Sequence, residues 1–153
     1  MTILVVDDDR TLTSLLSTKL QRLGFDVVVA HDAMQAFMHA TRCGPDAIIL
    51  DLNMPGGSGI EVLKKLKASS KTSAVPVVVL TASKKSSEQQ EIMALGASAF
   101  VYKETAMHRI ETILFSCLPR SARPAQAVHL DKDVTQGQLR PVRSLAKRIL
   151  GTR

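Results

Sequence analysis

The sequence predicts an α/β protein built on a five-stranded parallel sheet with alternating helices. Two observations lead to this fold class. Short apolar runs alternate with helix-period segments over residues 1–118, and most of these runs are continuous rather than alternating apolar and polar. Continuous apolar strands are typical of a parallel sheet covered by helices on both faces. Strict alternation of strand and helix then requires right-handed crossovers between parallel strands.

The predicted strands share a high content of Val, Ile, Leu and Ala. They cover residues 2–6, 26–30, 46–51, 75–81 and 98–102. Between and after them, four helical segments carry an apolar stripe that can be buried on the sheet. The stripes are formed by Leu12, Leu15, Leu16, Leu20 and Leu23; by Ala33, Ala36, Phe37 and Ala40; by Ile60, Leu63 and Leu66; and by Met107, Ile110, Leu114 and Cys117.

Two residues predict the limits of the first helix. Asp9 precedes the first stripe, where a short carboxylate side chain can accept hydrogen bonds from free backbone amides. Gly24 follows the last leucine of that stripe, and glycine commonly ends helices because it tolerates a positive φ.

The fourth helical segment differs from the others. Residues 84–91 are nearly all polar, and apolar residues appear only from Ile92 to Leu95. A helix with so small a core face should be weakly held, and moving elements are drawn from such regions.

Length and composition predict one cytoplasmic domain with an appendage. The chain has 153 residues, of which 45% are hydrophobic, enough for a core. No apolar run approaches the length of a membrane span, and the chain enters a strand at once, so we expect no signal peptide. Cys43 and Cys117 lie in unlike contexts, which favours buried thiols over a disulfide or a metal pair.

The excess of positive charge belongs to the end of the chain. Residues 1–119 hold twelve basic and twelve acidic residues, whereas residues 120–153 hold eight basic and two acidic ones. We expect a linker over 119–140 and a basic amphipathic helix over 141–153. Its apolar residues are Val142, Leu145, Ala146, Ile149 and Leu150, and its basic ones are Arg143, Lys147 and Arg148.

This tail is too short for a DNA-binding domain of the usual size, so no dedicated one is expected. Two alternatives remain open for the tail. Its apolar face docks on the globular part or on a partner, or the tail is a solvated basic segment.

Carboxylates follow two of the apolar strands. Asp7 and Asp8 come after the first strand, and Asp51 comes after the third. Because the carboxyl ends of parallel strands meet at one edge, these side chains should lie close together. Clustered carboxylates repel each other and either raise a pKa or recruit a cation. Oxygen ligands suit a hard ion, so the sequence predicts a Mg2+ site.

The polar residues at successive strand ends resemble those of the receiver domain of two-component response regulators. The resemblance rests on Asp7-Asp8, Asp51, Thr81 and Lys103, and on a D-x-x-M-P-x-x-x-G segment that runs from Asp51 to Gly59. It covers about residues 1–118. The resemblance implies a flavodoxin-like strand order, 2-1-3-4-5.

The resemblance also implies a role for each acidic residue. Asp51 would accept a phosphoryl group from a histidine kinase or a phosphotransfer protein. Asp8 and Asp51 would bind Mg2+ together with the backbone carbonyl of Asn53, and Asp7 would act through a metal-bound water. The protein would be a signalling phosphoacceptor rather than an enzyme, apart from catalysing its own phosphotransfer and dephosphorylation.

Three further residues have implied roles around the phosphoryl group. Lys103 would add a positive charge against its oxygens, and Thr81 would offer a hydroxyl to one of them. Ser83 and Asn53, each two residues beyond a site residue, would flank the path of a hydrolytic water and tune the lifetime of the phosphate.

The expected output surface is the fourth helix, fifth strand and fifth helix. Thr81 and Phe100 would act as the switch that couples the phosphate to it, and the surface would bind a downstream protein or form a homodimer. Signalling would proceed through altered protein contacts without a conventional output domain. Phe100 stands where the family often has Tyr, so it can swing but lacks a hydroxyl.

Glu104 is a second departure, because the family usually has Pro after the lysine. A cis bond before a non-proline residue costs about 2.5–4 kcal/mol, so a cis peptide after Lys103 is not expected. Glu104 also adds a negative charge beside Lys103.

Two other functions are weighed against this one. Residues 7–11 fit the D-x-D-x-T pattern of haloacid-dehalogenase-like phosphatases, but no later acidic motif follows Lys103 and Asp51 would have no role. A non-phosphorylated pseudo-receiver acting as an interaction module is the other, and Glu104 is its only support.

Overall fold

The computed structural model describes residues 1–54 and 57–122. Its main sheet has five strands in the order β2-β1-β3-β4-β5, and all neighbouring strands are parallel. The strands are β1 Thr2–Val6, β2 Asp26–Ala30, β3 Ala47–Asp51, β4 Val77–Thr81 and β5 Ala99–Tyr102. The predicted fold class and strand order are therefore confirmed.

Within the described residues, five α-helices connect and cover these strands. They are α1 Arg10–Arg22, α2 Ala33–Cys43, α3 Gly59–Ala68, α4 Ser86–Ala94 and α5 Ala106–Cys117. Short 3-10 turns cover Lys103–Thr105 and Arg120–Ala122, and Asn53–Met54 pairs with Gly57–Ser58 in a two-residue antiparallel ladder.

The sheet divides the core into two layers. The side chains of α1 and α5 pack on one face, around Ile3, Val5 and Ile49. Those of α2, α3 and α4 pack on the other face, around Leu4, Ile48 and Val79. Because successive strand residues point to opposite faces, the continuous apolar runs serve both layers at once.

The predicted limits of α1 are confirmed. The carboxylate of Asp9 accepts hydrogen bonds from the amides of Thr11 and Leu12, at 2.9 and 3.1 Å. The helix ends at Arg22, and Gly24 follows with a φ of 88°. Asp9 therefore marks the start of α1, and Gly24 lies in the turn that leads from α1 into β2.

The small core face predicted for the fourth helix is also confirmed. Ile92 is the one buried residue among the nine of α4. No side chain caps its N-terminus, where Lys85 precedes the helix. With so little buried area and no side-chain cap, α4 should be held only weakly on the sheet.

Two predicted core positions were wrong. Leu15 is 50% exposed, because it lies at the side of the α1 stripe and lines a groove between α1 and α5 instead of facing the sheet. Cys43 is exposed at the last turn of α2, where Gly44 turns the chain away with a φ of 55°. Cys117 is half-buried, and both thiols are free.

The predicted linker over 119–140 begins inside the described part of the chain, where Arg120–Ala122 forms a 3-10 turn. The rest of that linker and the whole predicted helix over 141–153 lie outside the described residues. No helix in the described part is long and apolar enough to cross a membrane.

Candidate functional site

Parallel pairing brings the predicted acidic residues together at one edge of the sheet. In the β1–β3 pair, Val6 lies opposite Leu50, so the residues that follow them, Asp7 and Asp51, come side by side. One carboxylate oxygen from each of Asp7, Asp8 and Asp51 lies within 4.8 Å of the others. Asp7 and Asp51 are fully buried, whereas Asp8 is exposed.

Asp7 is fixed by hydrogen bonds on both its backbone and its side chain. Its amide donates to the carbonyl of Ala30 at 3.1 Å, which extends the pairing of β1 with β2. Its Oδ1 accepts from the amide of Asp9 at 2.9 Å. Its own carbonyl oxygen lies 3.0 Å from Nδ1 of His31. This loop is therefore held in place before any ligand arrives.

Asp51 is held by the loop that follows it. Its Oδ1 accepts a hydrogen bond from the amide of Asn53 at 3.1 Å. The first residue of α3, Gly59, packs against the backbone of Asp51 and Leu52, and a side-chain carbon there would overlap the carbonyl oxygen of Asp51. Glycine at this position lets α3 start directly behind the residues that follow Asp51.

Lys103 supplies the positive charge of the site. Its Nζ lies 2.8 Å from Oδ2 of Asp7 and 3.0 Å from Oδ2 of Asp51. Apart from this ion pair, neither of these two buried oxygens has a hydrogen-bond partner among the described residues. Both therefore keep lone pairs free for a further cation or for a reacting group.

The site raises the pKa of both Asp51 and Lys103, for different reasons. Burial raises the pKa of Asp51, and the nearby charge of Asp7 adds to the rise, while the Asn53 amide and Lys103 limit it. Burial alone would lower the pKa of Lys103. The close approach and negative charge of Asp7 and Asp51 outweigh that effect, so its pKa is raised.

This donor set fits a hard divalent cation. Three carboxylates converge, two of their buried oxygens have unused lone pairs, and no nitrogen or sulfur ligand belongs to the cluster in residues 1–54 and 57–122. Mg2+ prefers such oxygen ligands and keeps several waters, which the exposed position of Asp8 would admit.

Thr81 lies at the same edge, at the end of the neighbouring strand. Asp51 pairs with Leu80, so Thr81 lies one residue beyond Asp51 in the register. Its side chain is buried, and its Oγ1 accepts a hydrogen bond from the amide of Ser83 at 3.0 Å. This bond ties the start of the β4–α4 loop to the site.

The predicted switch residue Phe100 lies between the sheet and α4. It is half-buried and lines a cavity of about 370 Å3 with Gln89, Met93 and other residues of α4. Its ring meets that of Tyr102 edge to face, with centroids 5.9 Å apart. The hydroxyl of Tyr102 accepts a hydrogen bond from Nε2 of Gln89 at 2.7 Å, so β5 is tied to α4.

The structure also shows which residue forms an ion pair with Glu104. Its Oε2 lies 3.2 Å from Nζ of Lys84, and both side chains are largely exposed. Glu104 thus pairs with the β4–α4 loop and leaves Lys103 to Asp7 and Asp51. The peptide after Lys103 is trans, as expected for a non-proline residue.

Asp7, Asp8, Asp51 and Lys103 thus form the centre of the site. Thr81 lies beside it at the end of β4, and Ser83 and Asn53 lie on the segments that follow β4 and β3. Phe100 lies on the sheet beneath α4 rather than in the centre. Two contacts, one from His31 to Asp7 and one from Gln89 to Tyr102, were not predicted. His31 could have been noticed, because it directly follows β2 at the same edge, whereas the bond from Gln89 to Tyr102 leaves no pattern in the sequence.

Comparisons with known proteins agree with this geometry. Residues 3–115 match the family described as response regulator receiver domain. The alkaline phosphatase synthesis transcriptional regulatory protein PhoP of Bacillus subtilis is 32% identical over 137 residues, which is 90% of this chain and 56% of that protein. The transcriptional regulatory protein CpxR of Escherichia coli is 43% identical over 100 residues, which is 65% of this chain and 40% of that protein.

A solved structure is similar to this chain over nearly the whole length of the solved protein. The chemotaxis protein CheY4 of Vibrio cholerae superimposes with a TM-score of 0.73 at 30% identity, covering 76% of this chain and 98% of that one. The chain spans about half the length of these two curated relatives, which are named as transcriptional regulatory proteins.

Proposed function

We propose, because this chain belongs to the response regulator receiver domain family, that Asp51 accepts a phosphoryl group from the phosphohistidine of a histidine kinase or phosphotransfer protein. The observation that carries the proposal is the placement of Asp51. It is fully buried, lies beside two other carboxylates and has Nζ of Lys103 3.0 Å from its Oδ2.

In the proposed step a carboxylate oxygen of Asp51 attacks phosphorus. The bond from phosphorus to the donor imidazole nitrogen breaks, and that nitrogen keeps the bonding electrons and takes up a proton. The product on this chain is an acyl phosphate. A carboxylate is a weak nucleophile, so the donor must be activated, as a phosphohistidine is.

The acidic residues would hold Mg2+ around this reaction. Asp8, Asp51 and the backbone carbonyl of Asn53 would bind it directly, and Asp7 would act through a water. When bound, the ion supplies positive charge against the equatorial oxygens of the transferred group. The lone pairs free on the buried oxygens of Asp7 and Asp51 support this assignment.

Lys103 and Thr81 would bind the phosphoryl oxygens. The ammonium of Lys103 already lies at the acceptor, and the raised pKa keeps it charged at neutral pH. The hydroxyl of Thr81 would turn from its bond with the Ser83 amide toward the new phosphate. Ser83 and Asn53 lie on the loops that border the site, from which they would tune hydrolysis.

The signal would leave the site through α4, β5 and α5. Thr81 begins the loop that leads into α4, and Phe100 lies beneath that helix. With Ile92 as its one buried residue, α4 can shift at small cost in buried area. We infer that this surface binds a downstream protein or a second copy of the chain in a phosphorylation-dependent way.

A small phosphate donor with Mg2+ tests the proposal. A receiver should become labelled with one phosphoryl group per chain and then lose it slowly. Continuous turnover of a generic phosphate ester would instead indicate a phosphatase, and failure of both reactions would indicate a pseudo-receiver.

A further inference from the structure

We propose that His31 is a positioning residue for the acidic pair: its ring N–H fixes the peptide between Asp7 and Asp8 and thereby sets the affinity of the site for a divalent cation. The inference rests on the proposed metal-assisted function, and it concerns a residue to which the family resemblance assigns no role.

The contact that carries the inference joins two strand ends. His31 is the first residue after β2, and its Nδ1 lies 3.0 Å from the backbone carbonyl oxygen of Asp7. A carbonyl oxygen can only accept a hydrogen bond, so Nδ1 must carry the proton. The amide of Asp7 is bonded in turn to the carbonyl of Ala30, so the end of β2 holds Asp7 from both sides of its backbone.

The backbone of His31 is itself held in place by α2. The backbone amide of His31 donates to the side-chain oxygen of Gln35 at 3.2 Å. The next residue, Asp32, caps the helix by accepting from the Gln35 amide at 2.8 Å. The backbone that carries the half-buried side chain of His31 is therefore anchored at the start of α2.

Asp8 is the residue that gains most from this arrangement. Unlike Asp7 and Asp51, its exposed carboxylate has no hydrogen bond or ion pair with any residue in the described part of the chain. Its position therefore depends on its own backbone, which begins with the peptide that His31 anchors. Partners outside the ligand set commonly decide metal affinity in this way, because they orient the ligands.

The test compares three variants by Mg2+ titration calorimetry. His31→Leu removes the donor and should weaken Mg2+ binding roughly tenfold. His31→Asn restores an N–H at the same distance along the side chain and should stay within about twofold of wild type, because the hydrogen bond to the Asp7 carbonyl is kept. His108→Leu, which removes an exposed histidine on α5, should leave binding unchanged.

A second measurement separates positioning from general damage to the fold. The rate of labelling of His31→Leu by a small phosphate donor should lag at limiting Mg2+ and return to the wild-type rate at saturating Mg2+. If the leucine variant does not fold, His31→Ala serves in its place.

Three results would overturn the inference. Equal Mg2+ affinity of wild type and His31→Leu would show that the ring does not position the ligands. An asparagine variant as weak as the leucine variant would show that the donor is not what matters. Absence of Mg2+ binding by the wild type would show that the protein has no Mg2+ site, and would count against the proposed function as well.

Discussion

The ammonium nitrogen of Lys103 lies 3.0 Å from a carboxylate oxygen of the fully buried Asp51. This ion pair partly offsets the cost of burying the Asp51 charge, but it does not cancel that cost, since burial still leaves the pKa of Asp51 raised. Burial therefore disfavours the charged form of Asp51, the proposed phosphoacceptor. This has measurable consequences for stability.

Removing the charge of Asp51 should stabilise the fold in the absence of metal. Burial and Asp7 both disfavour the carboxylate, so Asp51→Asn should raise the melting temperature at pH 7 in EDTA by a few degrees. The matched control is Asp9→Ala, which removes an exposed helix cap and should lower it. A lower melting temperature for Asp51→Asn would contradict the assigned electrostatics.

The raised pKa of Asp51 also fixes how the folding stability depends on pH. Because the folded pKa of Asp51 lies above its ordinary value of 3.8, the native state binds this proton more tightly than the unfolded state. This contribution to stability is complete below the ordinary value and is lost as pH rises through the raised one. Urea titrations in EDTA should show a stability difference between wild type and Asp51→Asn that vanishes in acid and grows toward neutral pH.

The three aspartates after β1 should differ in their effect on Mg2+. Asp8→Ala should abolish binding, because Asp8 is proposed as a direct ligand. Asp7→Ala should weaken it roughly tenfold, because Asp7 is assigned to act through a water. Asp9→Ala should leave the affinity nearly unchanged, because Asp9 is not one of the three clustered carboxylates. Calorimetric titrations that are identical for all three variants and wild type would refute the site.

Gly59 should prove necessary for the backbone conformation of Asp51 and Leu52. Gly59→Ala places a side-chain carbon against the carbonyl of Asp51 and should cost about 1–3 kcal/mol of unfolding free energy. It should also slow labelling of Asp51. Gly44→Ala meets no atom within 4 Å but requires a φ of 55°, so it should cost about 1–2 kcal/mol without any effect on labelling. Equal labelling rates for the two variants would argue against this role of Gly59.

The bond between Tyr102 and Gln89 should restrain α4. Tyr102→Phe removes the hydroxyl, and backbone amides of residues 86–94 should then exchange hydrogen roughly two- to tenfold faster, as expected for one net hydrogen bond. Gln89→Met should have a similar effect, and the double variant should add little to either. Gln90→Met is the control, because Gln90 lines the same cavity but is not the partner of Tyr102.

Most of the fold could be predicted because local pattern and global topology agree. The β3 and β4 strands are buried throughout, which is why their apolar runs are continuous. The site could be predicted because a parallel sheet brings its strand ends to one edge, so Asp7 and Asp51 meet wherever the helices lie. The family membership implied by these residues is confirmed.

The features that could not be predicted depend on how the helices pack, and no local sequence pattern specifies that packing. Leu15 has the spacing of a core residue, yet its place at the margin of α1 leaves it half exposed. Glu104 follows Lys103 in sequence but pairs with Lys84, twenty residues away. The tie between Gln89 and Tyr102 likewise depends on the exact rotation of α4 over β5.

The most direct test of the central claim is the location of the phosphoryl group after labelling. Wild-type protein incubated with acetyl phosphate and Mg2+ should gain one phosphoryl group that is stable in acid and labile in base, and peptide mapping should place it on Asp51. Asp51→Asn should gain none under the same conditions. Undiminished labelling of Asp51→Asn, or a phosphate mapped to another residue of the wild type, would contradict the account.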